Sequence, residues 1–204
     1  MANDYGAMQT RIASEINRTD LTSAIQDAII TAIRFYRKEK FWFNQTTGTV
    51  IATASTRTTA IPSDWEAPVT ARLEITTNTY YPINLANYSE LEERFLSTSM
   101  QGYPEDYAIF GNNFYWNPLP IQNYNVYLSY IKQIALPSNS SDTSSWFTDA
   151  EGLIRQHAKG VLFQDYLYAS DKSAAAFGLA KMELTRLKQE DASRNYSNKI
   201  DASW

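Results

Sequence analysis

The sequence predicts an α+β protein, a bundle of about four α-helices from its N- and C-terminal thirds with a small antiparallel β-sheet or partial barrel inserted between them. Three observations predict it. Apolar residues recur at a 3–4 spacing in both outer thirds, the period of a helix with one buried stripe. The middle third alternates with period two and is cut by proline, glycine and asparagine, as strands and turns are. Finally, a chain of 204 residues with 44% hydrophobic and 20% charged residues is long enough for one sizeable core and has the balance of a globular protein.

The first helix is expected over residues 7–16, where Met8, Ile12 and Ile16 share a side. Asn17-Arg18-Thr19-Asp20 reads as a turn and cap. The organising element is residues 21–44, in which Ile25, Ala28, Ile29, Ala32, Ile33 and Tyr36 form one stripe. About twenty helical residues would span about 30 Å, the width of a small domain. Thr19 or Asp20, with Thr22 as second choice, is placed to cap its start. Arg34, Arg37, Lys38 and Lys40 crowd its end, where cations oppose the unpaired carbonyls. Phe41, Trp42 and Phe43 then suit a strand that begins at the helix end.

From Thr46 the chain turns to strands, at residues 49–53 and 58–61, with a turn at Pro62-Ser63-Asp64. Residues 69–76 and 80–83 read as a hairpin about Thr77-Asn78, and residues 87–95 as a short helix with Leu91 and Phe95 on one side. Residues 107–110 and 114–116 flank a Gly111-Asn112-Asn113 turn, whose residues supply positive φ. Asn117-Pro118-Leu119-Pro120 is a bend at a sheet edge, and residues 124–131 form the last strand. After a polar loop over 137–145, Thr148 and Glu151 read as a capping box opening a helix to about Ala169. Its apolar face carries Ala150, Leu153, Ile154, His157 and Val161. Ser170 and Asp171 cap a final helix with Phe177, Ala180, Leu184 and Leu187 at 3–4 spacing, whose pattern ends after Asp191. Residues 193–204 read as a polar tail closing on Trp204. The expected organisation is thus 1–44 helical, 45–136 an inserted β subdomain, 137–194 the completing helix pair, and 195–204 a docking tail.

The chemistry is sparse. The chain holds no cysteine, which rules out disulfides and thiolate metal sites, and it has one histidine, His157, expected as a packed or rim residue. Carboxylates such as Glu90, Glu92, Glu105 and Asp149 have no diagnostic spacing for acid–base work, and Gly111 lies in a hairpin rather than a phosphate loop. No cofactor, metal site or catalytic residue is expected. No run approaches the roughly 18 apolar residues of a membrane span, and the first residues lack a secretory signal's pattern. A net charge of −4 argues against a protein that wraps duplex DNA, while the run from Arg34 to Lys40, interleaved with Tyr36, reads either as helix-end cations or as a local DNA contact. Fourteen tyrosines and five tryptophans suit either strand packing or surfaces that meet other subunits.

One ordered set of motifs resembles a known family. A long helix ending in FWFN, a strand closing on Ile61-Pro62-Ser63-Asp64, then Tyr103-Pro104-Glu105-Asp106-Tyr107-Ala108-Ile109, Asn117-Pro118-Leu119-Pro120, a Tyr-rich strand, Trp146 and a final helix pair are similar to the head-to-tail adaptor proteins of tailed bacteriophages. The resemblance covers roughly residues 21–194. It implies a structural protein of the virion neck, made in the host cytoplasm, that forms a ring of usually about twelve copies with head-to-tail contacts. Such a ring joins the portal protein to the tail or nozzle protein and lines part of the channel through which genomic DNA passes without sequence specificity. The resemblance implies portal docking by Tyr196, Ile200 and Trp204, subunit contacts by Phe41, Trp42, Tyr115 and Trp116, and a channel face with Arg34, Arg37 and Lys38. The competing readings are another tail or neck component, such as a stopper or tail-tube-type protein, and an enzyme acting on cell-wall glycan.

Overall fold

A computed structural model describes residues 3–95 and 100–196, the side chains of the last two excepted. It is an α+β structure. In chain order the elements are α1 (Tyr5–Ile16), α2 (Thr22–Tyr36), β1 (Gln45–Ala52), β2 (Thr58–Ala60), β3 (Trp65–Thr76), β4 (Thr79–Pro82), β5 (Asn84–Leu85), α3 (Tyr88–Arg94), β6 (Gln101–Gly102), β7 (Asp106–Phe110), β8 (Asn113–Asn117), β9 (Leu119–Pro120), β10 (Tyr124–Lys132), α4 (Ser145–Thr148), α5 (Glu151–Asp165) and α6 (Ser170–Tyr196). They divide into two compact units, residues 1–44 with 134–204, and residues 45–133.

In the helical unit, α1 and α2 pack on each other and on α5, and α5 packs along α6. Their facing stripes bury Met8, Ile12, Ile25, Ile29, Ile33, Leu153, Ile154 and Leu187 in one core, each such side chain contributing about 1.5–3 kcal/mol by its removal from water. Asp4 caps α1 by accepting from the Ala7 N–H at 2.7 Å, and Asn17 ends it in the left-handed conformation that asparagine tolerates. Neither Thr19 nor Asp20 caps α2. The Asp20 carboxylate takes two hydrogen bonds of 2.7 Å from Arg18, which hold it down to about 2, and Leu21 stands at the cap without a side-chain bond.

The helix expected to reach Asn44 stops at Tyr36, and residues 37–44 form turns rather than a strand start. The cause is Asn44, which is wholly buried. Its side-chain oxygen accepts from the Phe41 N–H at 2.9 Å, and its amide donates to the Glu39 carbonyl at 2.8 Å. These two bonds replace those a continued helix would have made. They let Phe41 and Phe43 stack 5.1 Å apart and meet the edge of Trp146 at 6.1 and 5.3 Å.

The capping box at Thr148 and Glu151 does not form. Thr148 is already inside α4, with its hydroxyl on the Ser144 carbonyl and the Asp149 carboxylate. Glu151 is instead drawn to Arg11 at 2.7 Å and Arg155 at 2.9 Å, while Glu15 meets Arg155 and, at 2.6 Å, Lys159. This alternating charge network ties α1 to α5. Two further ends differ from expectation. α5 stops at Asp165, and α6 continues to Tyr196, past the expected end of the pattern at Asp191.

The β unit holds two four-stranded sheets where one was expected, in the orders β1-β10-β3-β4 and β2-β8-β7-β5, with a two-stranded β6-β9 pair. Ala52, Leu73, Val126, Leu128 and Tyr130 of the first sheet and Tyr107, Phe114 and Trp116 of the second share one core. Trp65 joins them, stacked on Tyr130 at 4.8 Å and edge-on to Phe114 at 5.1 Å. The β3 strand starts at Trp65 rather than Val69, because Pro68 sits where the register with β10 shifts and its missing N–H is tolerated. The tight turn after β7 uses a positive φ only at Gly111, and Asn113 already lies in β8.

Asn44→Ala leaves the buried Phe41 N–H without its partner. It is expected to destabilise the helical unit by about 1–3 kcal/mol, seen as a lower urea midpoint for loss of helical circular dichroism.

Candidate assembly surfaces

The cations at the end of α2 lie partly on the helix and partly on the turn that follows it. Arg34 and Lys38 are four residues apart and exposed, as is Lys40, while Arg37 is half-buried. Between them Glu39 pairs with Lys188 of α6 at 2.7 Å, so the cationic end is tied to the last helix. Phe35 lies beside these cations with 68% of its surface exposed, although its neighbour Tyr36 is buried. Its ring rests 4.8 Å from His157, which also meets Tyr36 at 5.1 Å and Phe177 at 5.2 Å.

His157 is a packed residue. Its Nδ1 lies 3.0 Å from the Tyr36 hydroxyl, and burial pushes the ring below its ordinary 6.5. Gly160, one turn on, lets α6 approach: a Cβ there would stand 2.7 Å from the Phe177 ring.

The expected subunit-contact residues fall into two classes. Phe41 and Trp116 are wholly buried within the chain, and their rings leave no surface for a neighbour. The Trp116 indole N–H is also used, donating to the Thr59 hydroxyl at 3.0 Å. Trp42 is half-buried under the Arg194 guanidinium, 4.3 Å from its ring. Tyr115 points outward from β8 and is half-buried against Tyr88 at 5.0 Å. Of the expected docking residues, Tyr196 ends α6, and Ile200 and Trp204 lie outside the described residues.

Alternation explains why Trp116 lies inside and Tyr115 outside. Phe114 and Trp116 share the inward parity of β8, so Trp116 goes in with Phe114, while Tyr115 and the hairpin-tip Phe110 go out. Phe110 remains 54% exposed, stacked on Tyr88 at 4.2 Å. Tyr80, Tyr81 and Tyr168 are also exposed, and sequence reading singled out none of these as surface. The signal available was their position at a strand edge or a loop.

Of the candidate carboxylates, Glu92 is used structurally. Glu92 pairs with Arg57 at 2.9 Å, and no group of three or more metal-binding side chains occurs among the described residues. Nor is any helix among them long and apolar enough to cross a membrane. Compared with known protein families, residues 3–201 match the family described as SU10 adaptor protein. A search of the curated proteins finds no match.

The environment of His157 carries a pH prediction. An unfolded ring titrates near 6.5, and the folded ring lower, so the unfolded chain binds the extra proton first. The contribution is full above about pH 6.5 and is lost as pH falls below that and through the lower value of the folded ring. The unfolding midpoint of the helical unit is therefore expected to drop between about pH 7.5 and 5.5, and His157→Gln to flatten that slope.

Proposed function

We propose, from the fact that the chain belongs to the SU10 adaptor protein family, that it forms the ring joining portal to tail in a phage virion. The family is one of structural phage adaptor proteins, whose partners are head and tail proteins of the virion. The observation that carries the proposal is the extent of the match, residues 3–201, which takes in both units. The ring has about twelve copies in head-to-tail contact. It sits at the virion neck, between the portal protein and the tail or nozzle protein, around the path of the genomic DNA.

Exposed aromatics support a protein that is completed by neighbours. Phe35, Tyr81, Phe110 and Tyr168 are each more than half exposed, and aromatic side chains are enriched where subunits meet. Trp42 and Tyr115, both half-buried, belong to the subunit contacts, and the segment with Tyr196, Ile200 and Trp204 docks on the portal. Arg34, Arg37 and Lys38 face the channel, where cations meet phosphates without reading bases.

Two outcomes test this. Purified alone, the protein is expected to be small by native mass measurement, and with the portal ring of the same source to add about one copy per portal subunit, since a template turns weak lateral contacts into intramolecular ones. Indifference to the portal defeats the reading. Arg34→Glu with Lys38→Glu is expected to leave portal loading within about twofold of wild type while slowing DNA release from assembled particles, because both side chains are exposed and the change adds repulsion toward phosphate.

A further inference from the structure

The β unit has two opposite outer faces of different chemistry. One is the outer side of the β1-β10-β3-β4 sheet. There Thr47, Thr49, Thr70, Arg72, Tyr127 and Ser129 line an open depression of about 450 Å³. Arg72 is its cation, with its guanidinium 4.6 Å above the Tyr80 ring and 5.6 Å from that of Tyr127. The tyrosines are held in turn. Tyr127 donates to Glu74 at 3.1 Å, Asn125 donates to the same carboxylate at 3.0 Å, and Tyr80 meets Tyr127 edge-on at 5.4 Å. Glu74 is thus occupied, and Arg72 has no ion-pair partner among the described residues. An arginine oriented by two rings and left without a carboxylate is prepared for an anion from outside.

The other face lies across the shared core. α3 covers the outer side of the second sheet, with Leu91 wholly buried and Tyr88 stacked on Phe110 and set edge-on to Tyr115. Glu92 is consumed by Arg57, which also lies 3.6 Å over the Phe95 ring. Glu90 and Glu93, three residues apart on the helix, are exposed and have no ion-pair partner among the described residues. This face therefore presents two exposed carboxylates beside an exposed aromatic stack.

Taking as its premise the ring-forming adaptor reading above, we infer that these faces meet between neighbouring copies: Arg72 of one β unit pairs with Glu90 and Glu93 of the next. The occupant is a second copy of this chain because both halves of the charge pair are present on it. Moreover, they lie on opposite sides of one unit, as a head-to-tail contact that closes into a ring requires. An isologous contact of the Arg72 face with its own copy would leave Glu90 and Glu93, on the opposite side, outside the contact.

The test is reciprocal charge exchange, read as copies bound per portal ring at low and moderate salt. Arg72→Glu alone, and Glu90→Arg with Glu93→Arg, are each expected to lower loading at least tenfold. The variant carrying all three changes is expected to restore it. The chain has no cysteine, so a second measurement uses Thr70→Cys with Glu93→Cys, which should join neighbouring copies on the portal into a covalent ladder under a short bifunctional maleimide. Wild-type loading by the single-face variants, or a ladder absent while loading is normal, overturns the inference and leaves the adaptor reading intact. If wild-type protein itself ignores the portal, the adaptor reading falls and this inference with it.

Discussion

A single buried asparagine decides how the helical unit is finished. Asn44 takes the Phe41 N–H and gives its amide to the Glu39 carbonyl, so the turn after α2 closes without helix and without strand. An amide in that position is worth more than an ordinary hydrogen bond, since losing it would strand backbone groups away from water. With the turn closed, Phe41, Phe43 and Trp146 assemble as one aromatic corner. The corner belongs to the same core as α1, α2 and α5, and Lys188 reaches back to Glu39 within the turn. The exposed cations Arg34, Lys38 and Lys40 consequently lie on and just beyond a fixed helix end.

The two units spend their polar residues differently. The helical unit turns its carboxylates inward on its own cations, through the network from Arg11 to Lys159. Burial works to raise the Glu15 carboxyl, yet the bonds and charges of Lys159 and Arg155 outweigh it and hold that group below the usual range. In the β unit Tyr130 donates to Asp64, where burial and the 2.8 Å bond push the phenol up to about 12. This unit leaves Arg72, Glu90 and Glu93 without ion pairs among the described residues. A protein that meets others has a use for charges of both signs on separate faces.

Periodicity made most helices and strands readable. The stripe in α2 is buried as its spacing implied, from Ile25 to Tyr36, and Leu91 anchors the short α3. Ends were harder to read. Thr148 and Glu151 have the spacing of a capping box, but spacing says nothing of Arg11, which lies 140 residues from Glu151 and competes for it. Likewise Asp20 has the chemistry of a cap, and a salt bridge two residues away claims it.

What the amino-acid order determined by itself is whatever depends on neighbours along the chain: the α+β class, the helix stripes, the strand alternation, the buried setting of His157 and the ordered motifs that resemble an adaptor. Only the tertiary structure decided which aromatics remain on the surface, that the β region makes two sheets about one core, and which charges are left unpaired. Those outcomes turn on contacts between residues far apart in sequence. Tyr115 and Trp116 are adjacent and chemically alike, yet one points out and the other is wholly buried, because strand parity and a second sheet assign them to opposite sides.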